Sequence, residues 1–312
     1  ADGFLTFLYN NGIANELFPV LIFIGVGAMI DFKPLLKNPF MLFFGAAAQF
    51  GIFMTMFVAI LLGFDLKEAG AIGIIGAADG PTSIFVASHF KLDNLIGPIS
   101  VAAYSYMSLV PIIQPPVIKL LTTKKERMMR MQYTEVKIPK VVEILFPIVI
   151  TIIAGIIAPI SVALIGALMF GNLIRVCGVL ERLSQAAQNE LSNLVTLLLG
   201  ITIGSTMTAD RFLTPATLLI MLMGLFAFIF DTAGGVLFAK ILNLFLKQKI
   251  NPMVGAAGIS AFPMSARVIQ KMATEEDPTN FILMQSISAN VAGQLGSVVA
   301  GSMILVLVPA LI

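Results

Sequence analysis

The chain has no tryptophan, one cysteine and one histidine in 312 residues, and only 12% of those residues are charged. Each scarcity excludes something. A lone Cys177 rules out a disulfide within the chain and a cysteine-built metal centre. A lone His89 makes a zinc site unsupported. A soluble domain carries about 25% charged residues, because its surface faces water. Here 58% of residues are hydrophobic and the mean hydropathy is +0.98, so the surface must face lipid. A net charge of +2 gives no basis for a nucleic-acid partner. The chain begins at Ala1 without a signal-peptide pattern, and the expectation is that natural residues precede it.

What is present is a series of apolar runs, each near the roughly 20 residues that cross a bilayer. They lie at 13–30, 39–64, 95–121, 141–157, 158–176, 190–207, 214–246 and 281–312, with a sharp turn at Ala158-Pro159. Two further stretches, 68–90 and 251–271, are apolar but broken in the middle. The basic, polar stretch 122–140 is the one credible linker. It divides the chain into a first transmembrane repeat, 1–121, and a second, 141–312. The expected fold is an all-α polytopic membrane protein.

The halves resemble each other. Gly73, Gly76, Pro81 and Ser83 match Gly255, Gly258, Pro263 and Ser265 at a constant shift of 182. A looser match pairs Gly27, Asp31 and Pro39 with Gly204, Asp210 and Pro215. Paired broken segments in two repeats point to a transporter's binding site. Charge placement then sets the topology. If both broken stretches are re-entrant hairpins and the linker is cytoplasmic, Lys33, Lys37, Arg175, Arg182, Lys240, Lys247, Lys249, Arg267 and Lys271 all fall inside. Only Lys67, Lys91 and Arg211 fall outside. Full crossings would move Lys33, Lys37 and Lys271 out, so the pattern predicts two inverted repeats whose hairpin tips meet near the bilayer midplane.

The first break reads Gly76-Ala-Ala-Asp79-Gly80-Pro81-Thr82-Ser83. Proline and glycine stop the helix there, and irregular backbone at membrane depth survives only where protein covers it or water reaches it. A carboxylate in that gap costs a few kcal/mol and is kept mainly for ion or proton pathways. Asp79 is therefore the leading candidate, against the plainer reading of a helix cap. The second break, 251–267, offers neutral oxygens from Asn251, Ser260 and Ser265 together with bare carbonyls. One carboxylate with several neutral oxygens suits a hard monovalent cation, sodium. Arg267 is either a loop-end charge at the inner face or a two-pronged clamp for a carboxylate.

The spans after each break carry polar faces: Ser100, Tyr104, Ser105 and Tyr106 on one, and Ser286, Ser288, Asn290, Gln294 and Ser297 on the other. Such residues serve more often as interhelical glue than as ligands. Tyr106 and Asn290 stand out because the hairpin tips should face their helices. Asp231 interrupts the run 214–246 and is a further, weaker candidate. Asp31 and Asp210 read as interfacial, His89 as a wet residue at the outer mouth, and Glu275-Glu276-Asp277 as a solvated turn.

Four motifs carry a family resemblance across essentially the whole chain: Gly25–Leu36, Ala78–Ser83, Val101–Met107 and the segment 251–267. The chain resembles the membrane β subunit of the sodium-pumping, biotin-dependent decarboxylases of oxaloacetate, methylmalonyl-CoA and glutaconyl-CoA. The resemblance implies a multi-pass protein of the bacterial inner membrane that decarboxylates carboxybiotin, exports Na+ and consumes an external proton. It places sodium and proton roles on Asp79 and Tyr106, and functional positions at Asn251, Gly255, Ser260 and Arg267. The expected Na+ set is Asp79, Asn251, Gly255, Ser260 and Asn290, with Arg267 and Ser265 holding carboxybiotin. The implied partners are soluble carboxyltransferase and biotin-carrier subunits and a small single-span membrane subunit, with a homotrimer as the assembly. A sodium-coupled symporter of small carboxylates would use the same hairpins and cation site without biotin; only the family motifs separate the two.

Overall fold

The computed structural model describes residues 3–132 and 137–312, apart from the side chains of Asp210 and Arg211. The expectations made for Asp210, for Arg211 and for linker residues 133–136 lie outside the described residues. All regular elements among the described residues are helices.

Among the described residues, six helices are long and apolar enough to cross a membrane: Pro39–Leu61, Ile96–Leu121, Lys140–Ile157, Pro159–Val176, Pro215–Phe245 and Leu283–Leu311. The run expected at 13–30 is instead Leu17–Met29, bent by 60° from Phe4–Ile13, where Glu16 takes a left-handed backbone. The run at 190–207 is a 15-residue helix, Ser192–Thr206, that follows a π-helical turn, Ala187–Leu191. Lys140–Ile157 has 11% of its apolar window buried and forms a lipid-facing wall, whereas Leu283–Leu311 has 72% buried and lies at the centre. Pro215–Phe245 runs unbroken through Asp231, so that carboxylate does not interrupt the helix.

Both broken stretches are broken in the structure. In the first, Leu66–Ile74 tightens into a 3-10 turn at Ile75–Ala77, Ala78 adopts φ 54°, and Gly80–His89 starts again with Pro81 in its first turn. Proline fits there because the first N–H groups of a helix have no partner within it. In the second, Met253–Ala256 gives way to irregular backbone before Met264–Glu276, which runs past the expected end at 271.

Each stretch returns to the end it came from. Glu68 and Lys91 line one cavity, and Gly70 packs beside the Phe90 ring. Asn251 and Asn280, on either side of the second stretch, both donate to the carbonyls of Arg127 and Met129. Ile96–Leu121 connects these two mouths, beginning beside the first and ending at the linker beside the second. Its 26 residues span about 39 Å at 1.5 Å per residue. The two breaks touch inside the protein, where the Ser260 N–H and Oγ both donate to the Ala77 carbonyl at 3.1 and 2.8 Å.

Two backbone-to-backbone crossings set this frame. A methyl group at Gly27 would lie 1.8 Å from the Leu168 carbonyl oxygen, and one at Gly171 would lie 1.9 Å from that of Ile24. Gly235 and Gly255 cross in the same reciprocal way, at 2.1 and 2.0 Å from each other's carbonyl oxygens. Without a hydrophobic drive between helices in lipid, this close approach is what packs them.

Candidate functional site

Asp79 sits where the first helix stops, 5% exposed, with an extended backbone that makes it the cap of Gly80–His89. Its Oδ1 accepts the Thr82 N–H at 3.2 Å, and its Oδ2 accepts the Thr82 hydroxyl at 2.7 Å. That is the local cap expected of an aspartate before a proline-led helix. The local cap leaves capacity unused, and the central helix Leu283–Leu311 takes it up. Gln294 Nε2 and Ser297 Oγ both donate to Oδ2, at 3.1 and 2.9 Å. A buried carboxyl group with this many donors is fixed in one orientation.

Beside Asp79 lies a cavity of about 530 Å³ that also reaches Ser260, Gln294 and Arg267. Arg267 stands exposed on the second hairpin's helix and lines the cavity without an ion pair among the described residues. Gln188 closes the cavity from the turn before Ser192–Thr206, and Met29 and Met107 supply apolar wall. One chamber thus holds the Asp79 carboxyl and the Arg267 guanidinium, supplied by different broken stretches. It fits a cation at one end and a small carboxylate at the other. Among the described residues no three His, Cys, Asp or Glu side chains are grouped so that they could hold a metal ion, and the cavity's oxygen donors suit a hard cation rather than a transition metal.

The family model described as "Na+-transporting oxaloacetate decarboxylase beta subunit" matches residues 1–308. The chain belongs to this beta-subunit family. It is 51% identical over 304 residues to the methylmalonyl-CoA decarboxylase subunit beta of Propionigenium modestum, covering 97% of this chain and 76% of that one. It is 52% identical over 298 residues to the corresponding subunit of Veillonella parvula, covering 96% and 79%. To the probable oxaloacetate decarboxylase beta chain of Vibrio cholerae it is 49% identical over 311 residues, covering 98% and 71%. With six candidate spans and bacterial relatives of this kind, the chain is a multi-pass protein of the bacterial inner membrane and one subunit of a sodium-transporting decarboxylase.

Within the beta-subunit fold, the residues singled out from the sequence separate into two groups. Asp79, Ser260 and Arg267 come together at the cavity. Asn290, one turn from Gln294, donates to the Ile259 carbonyl at 2.6 Å and leaves its buried Oδ1 without a partner. The others are engaged elsewhere. The Asn251 amide holds the linker through the Arg127 and Met129 carbonyls, both at 2.9 Å, while its Oδ1 caps the Met253 N–H at 3.0 Å. Gly255 is the backbone crossing with Gly235. Ser265 is fully buried against Gln114 and the Ala256 carbonyl and turns away from the cavity. The Tyr106 hydroxyl donates to the Met221 carbonyl, and it is the Tyr104 ring that packs on Gly80 beside Asp79.

From the sequence alone Gln294 and Ser297 read as interhelical glue, and nothing singles out Gln188. A polar stripe on a membrane helix looks the same whether it bonds another helix or a site carboxylate. What marks these residues is their position one and two turns along from Asn290 on a helix that faces the first break.

Proposed function

We propose that this chain decarboxylates carboxybiotin brought by a partner subunit and couples that step to Na+ export with uptake of an external proton. The observation that carries the reading is the shared cavity, with Asp79 from one hairpin and Arg267 from the other. The carboxylate of carboxybiotin enters from the cytoplasmic side and is held by Arg267 as a charge-assisted, two-pronged pair. Sodium binds at Asp79 with Ser260 and backbone carbonyls, and Asn290 lends its unpartnered Oδ1 from the next turn. The carboxyl–nitrogen bond then breaks, CO2 leaves, and the ureido nitrogen keeps the electron pair and takes a proton. That proton arrives by way of Asp79 and displaces its sodium outward. Moving one charge against 100 mV costs about 2.3 kcal/mol, which the decarboxylation supplies.

The two hairpins and the 182-residue shift support an inverted repeat, and a rigid-body shift of the hairpin pair would alternate access to the site. We further propose that soluble carboxyltransferase and biotin-carrier subunits and a small single-span subunit complete the enzyme, with the chain itself forming a homotrimer.

The test is CO2 release from a carboxylated biotin-carrier protein by the assembled complex, with and without Na+. Asp79→Asn keeps the size of the side chain and removes its charge, and it should abolish Na+-dependent release. Full-rate pumping by Asp79→Asn would overturn the mechanism.

A further inference from the structure

A second buried carboxylate plays no part in the site just described. Asp231 lies midway along Pro215–Phe245, 1% exposed, where that helix crosses Pro39–Leu61. Its Oδ1 accepts the Ile52 N–H at 3.1 Å. The crossing helix turns at Gln49, and Ile52 lies in the first turn of the segment Phe50–Leu61. Asp231 thus caps a helix start from the opposite half of the chain. A cap needs one oxygen. The other, Oδ2, is buried and has no partner.

The 182-residue shift shows what is unusual about that oxygen. It maps Gln49 onto Asp231 and Gly258 of the second break onto Gly76 of the first. Gln49 Nε2 reaches across and donates to the Gly258 carbonyl at 3.4 Å. Asp231 makes the matching approach to the first break, where a methyl at Gly76 would lie 2.8 Å from Oδ2. One half therefore presents a donor to the opposing break, and the other half presents a bare oxygen. Asp231 lies against Gly51, Ile52 and Gly76 and forms no ion pair among the described residues. Gln49 Oε1 and the Thr55 and Thr232 hydroxyls, on the same two helices, are also buried without a partner. A carboxylate buried with nothing to neutralise it is strongly disfavoured, and a bound cation removes the penalty.

We propose that Asp231 binds one monovalent cation, sodium or a proton, on its Oδ2 between the first break and the turn at Gln49, as a cation position separate from Asp79. The proposal rests on the reading that this chain moves sodium. A cation there ties the first break to the crossing helix three residues before Asp79, so its occupancy bears directly on the hairpin tip.

Dicyclohexylcarbodiimide modifies protonated carboxyls in apolar surroundings, and it tests the wild-type complex in lipid vesicles. Peptide mapping by mass spectrometry is expected to find Asp231 modified without Na+. Protection by added Na+ identifies sodium as the occupant, and modification indifferent to Na+ but declining with rising pH identifies a proton. In parallel, Asp231→Asn keeps the Ile52 cap and is expected to shift the half-saturating Na+ concentration, or the sodium moved per CO2, by about tenfold or to losing one charge. Either result supports the site. No modification of Asp231 under any condition, together with unchanged sodium dependence in Asp231→Asn, overturns it. The Asp79→Asn assay reports on the proposed function independently, so the two ideas can fail separately.

Discussion

Asp79 accepts from Thr82 within its own turn and from Gln294 and Ser297 on the central helix, and the second pair is what fixes the carboxylate in three dimensions. Ser297 donates its hydroxyl proton to Asp79 and so orients the carboxyl group proposed to bind sodium. Removing it should weaken sodium binding more than it slows chemistry at saturation. We expect Ser297→Ala to raise the half-saturating Na+ concentration about tenfold, a loss near 1.4 kcal/mol. CO2 release at high Na+ should stay close to wild type, and Ser297→Thr should restore the affinity. Measuring release across a Na+ titration separates the two parameters. Equal loss of both would mean that Ser297 is merely structural. Tyr104, whose ring rests on Gly80, is the tyrosine nearer this group, and Tyr106 is tied to Pro215–Phe245.

Among the elements, the second hairpin is held at both ends. Its inner end is the Gly235–Gly255 crossing, where a side chain has no room. Gly255→Ala should push the hairpin off Pro215–Phe245 and lower stability by about 1–3 kcal/mol, the usual range for overpacking. Thermal unfolding in detergent should show the loss, while protein that remains folded keeps its sodium affinity. Its mouth is the linker clamp. Arg127 pairs with Glu276 at 2.6 Å, and Arg130 pairs with Asp277 at 2.8 Å. The Thr279 hydroxyl and N–H, with Arg130 behind them, hold Asp277 down from 3.8 to about 2. A depressed carboxylate contributes to stability above its unfolded value and loses that contribution as pH falls through the folded one. The protection of amides in residues 127–132, relative to the unstructured exchange rate at each pH, should therefore hold above pH 3.8 and fall as pH drops toward 2. Arg130→Gln should move that loosening to higher pH.

For the whole molecule, the arrangement to test is two hairpin mouths at opposite ends of Ile96–Leu121. If the repeats are inverted across the membrane, Lys91 faces outside and Lys249 inside. With Cys177→Ala as background, single cysteines at these positions should react with a membrane-impermeant thiol reagent from opposite sides of sealed vesicles. Labelling of both from one side would defeat the inverted topology. The same geometry gives the linker a mechanical place: Asn251, Asn280 and Gln285 bind its backbone to the second hairpin and the central helix. Asn251→Ala should cost about 1–3 kcal/mol by removing two hydrogen bonds to the linker and the cap on the Met253 N–H. It should expose 127–132 to protease before it changes sodium affinity.

The membrane class, both helix breaks and the place of Asp79 at the first of them were legible without any tertiary structure. Those features are written in local chemistry: apolar runs have one solvent that suits them, and Gly-Pro pairs stop helices wherever they fall. The shift of 182 between the halves was legible too, because like residues at like spacing need no third dimension to be seen. The tertiary structure alone decided which polar residues serve the site. Gln294 and Ser297 are some 215 residues from Asp79 along the chain, and their donation to it depends on how Leu283–Leu311 crosses the first break. Asn251, Ser265 and Tyr106 carry the right atoms but point them at the linker, at Gln114 and at Met221. A side chain's chemistry is fixed by its type, whereas its direction is fixed by the packing of whole helices, and here that packing is set by backbone crossings at glycines that carry no polar signal at all.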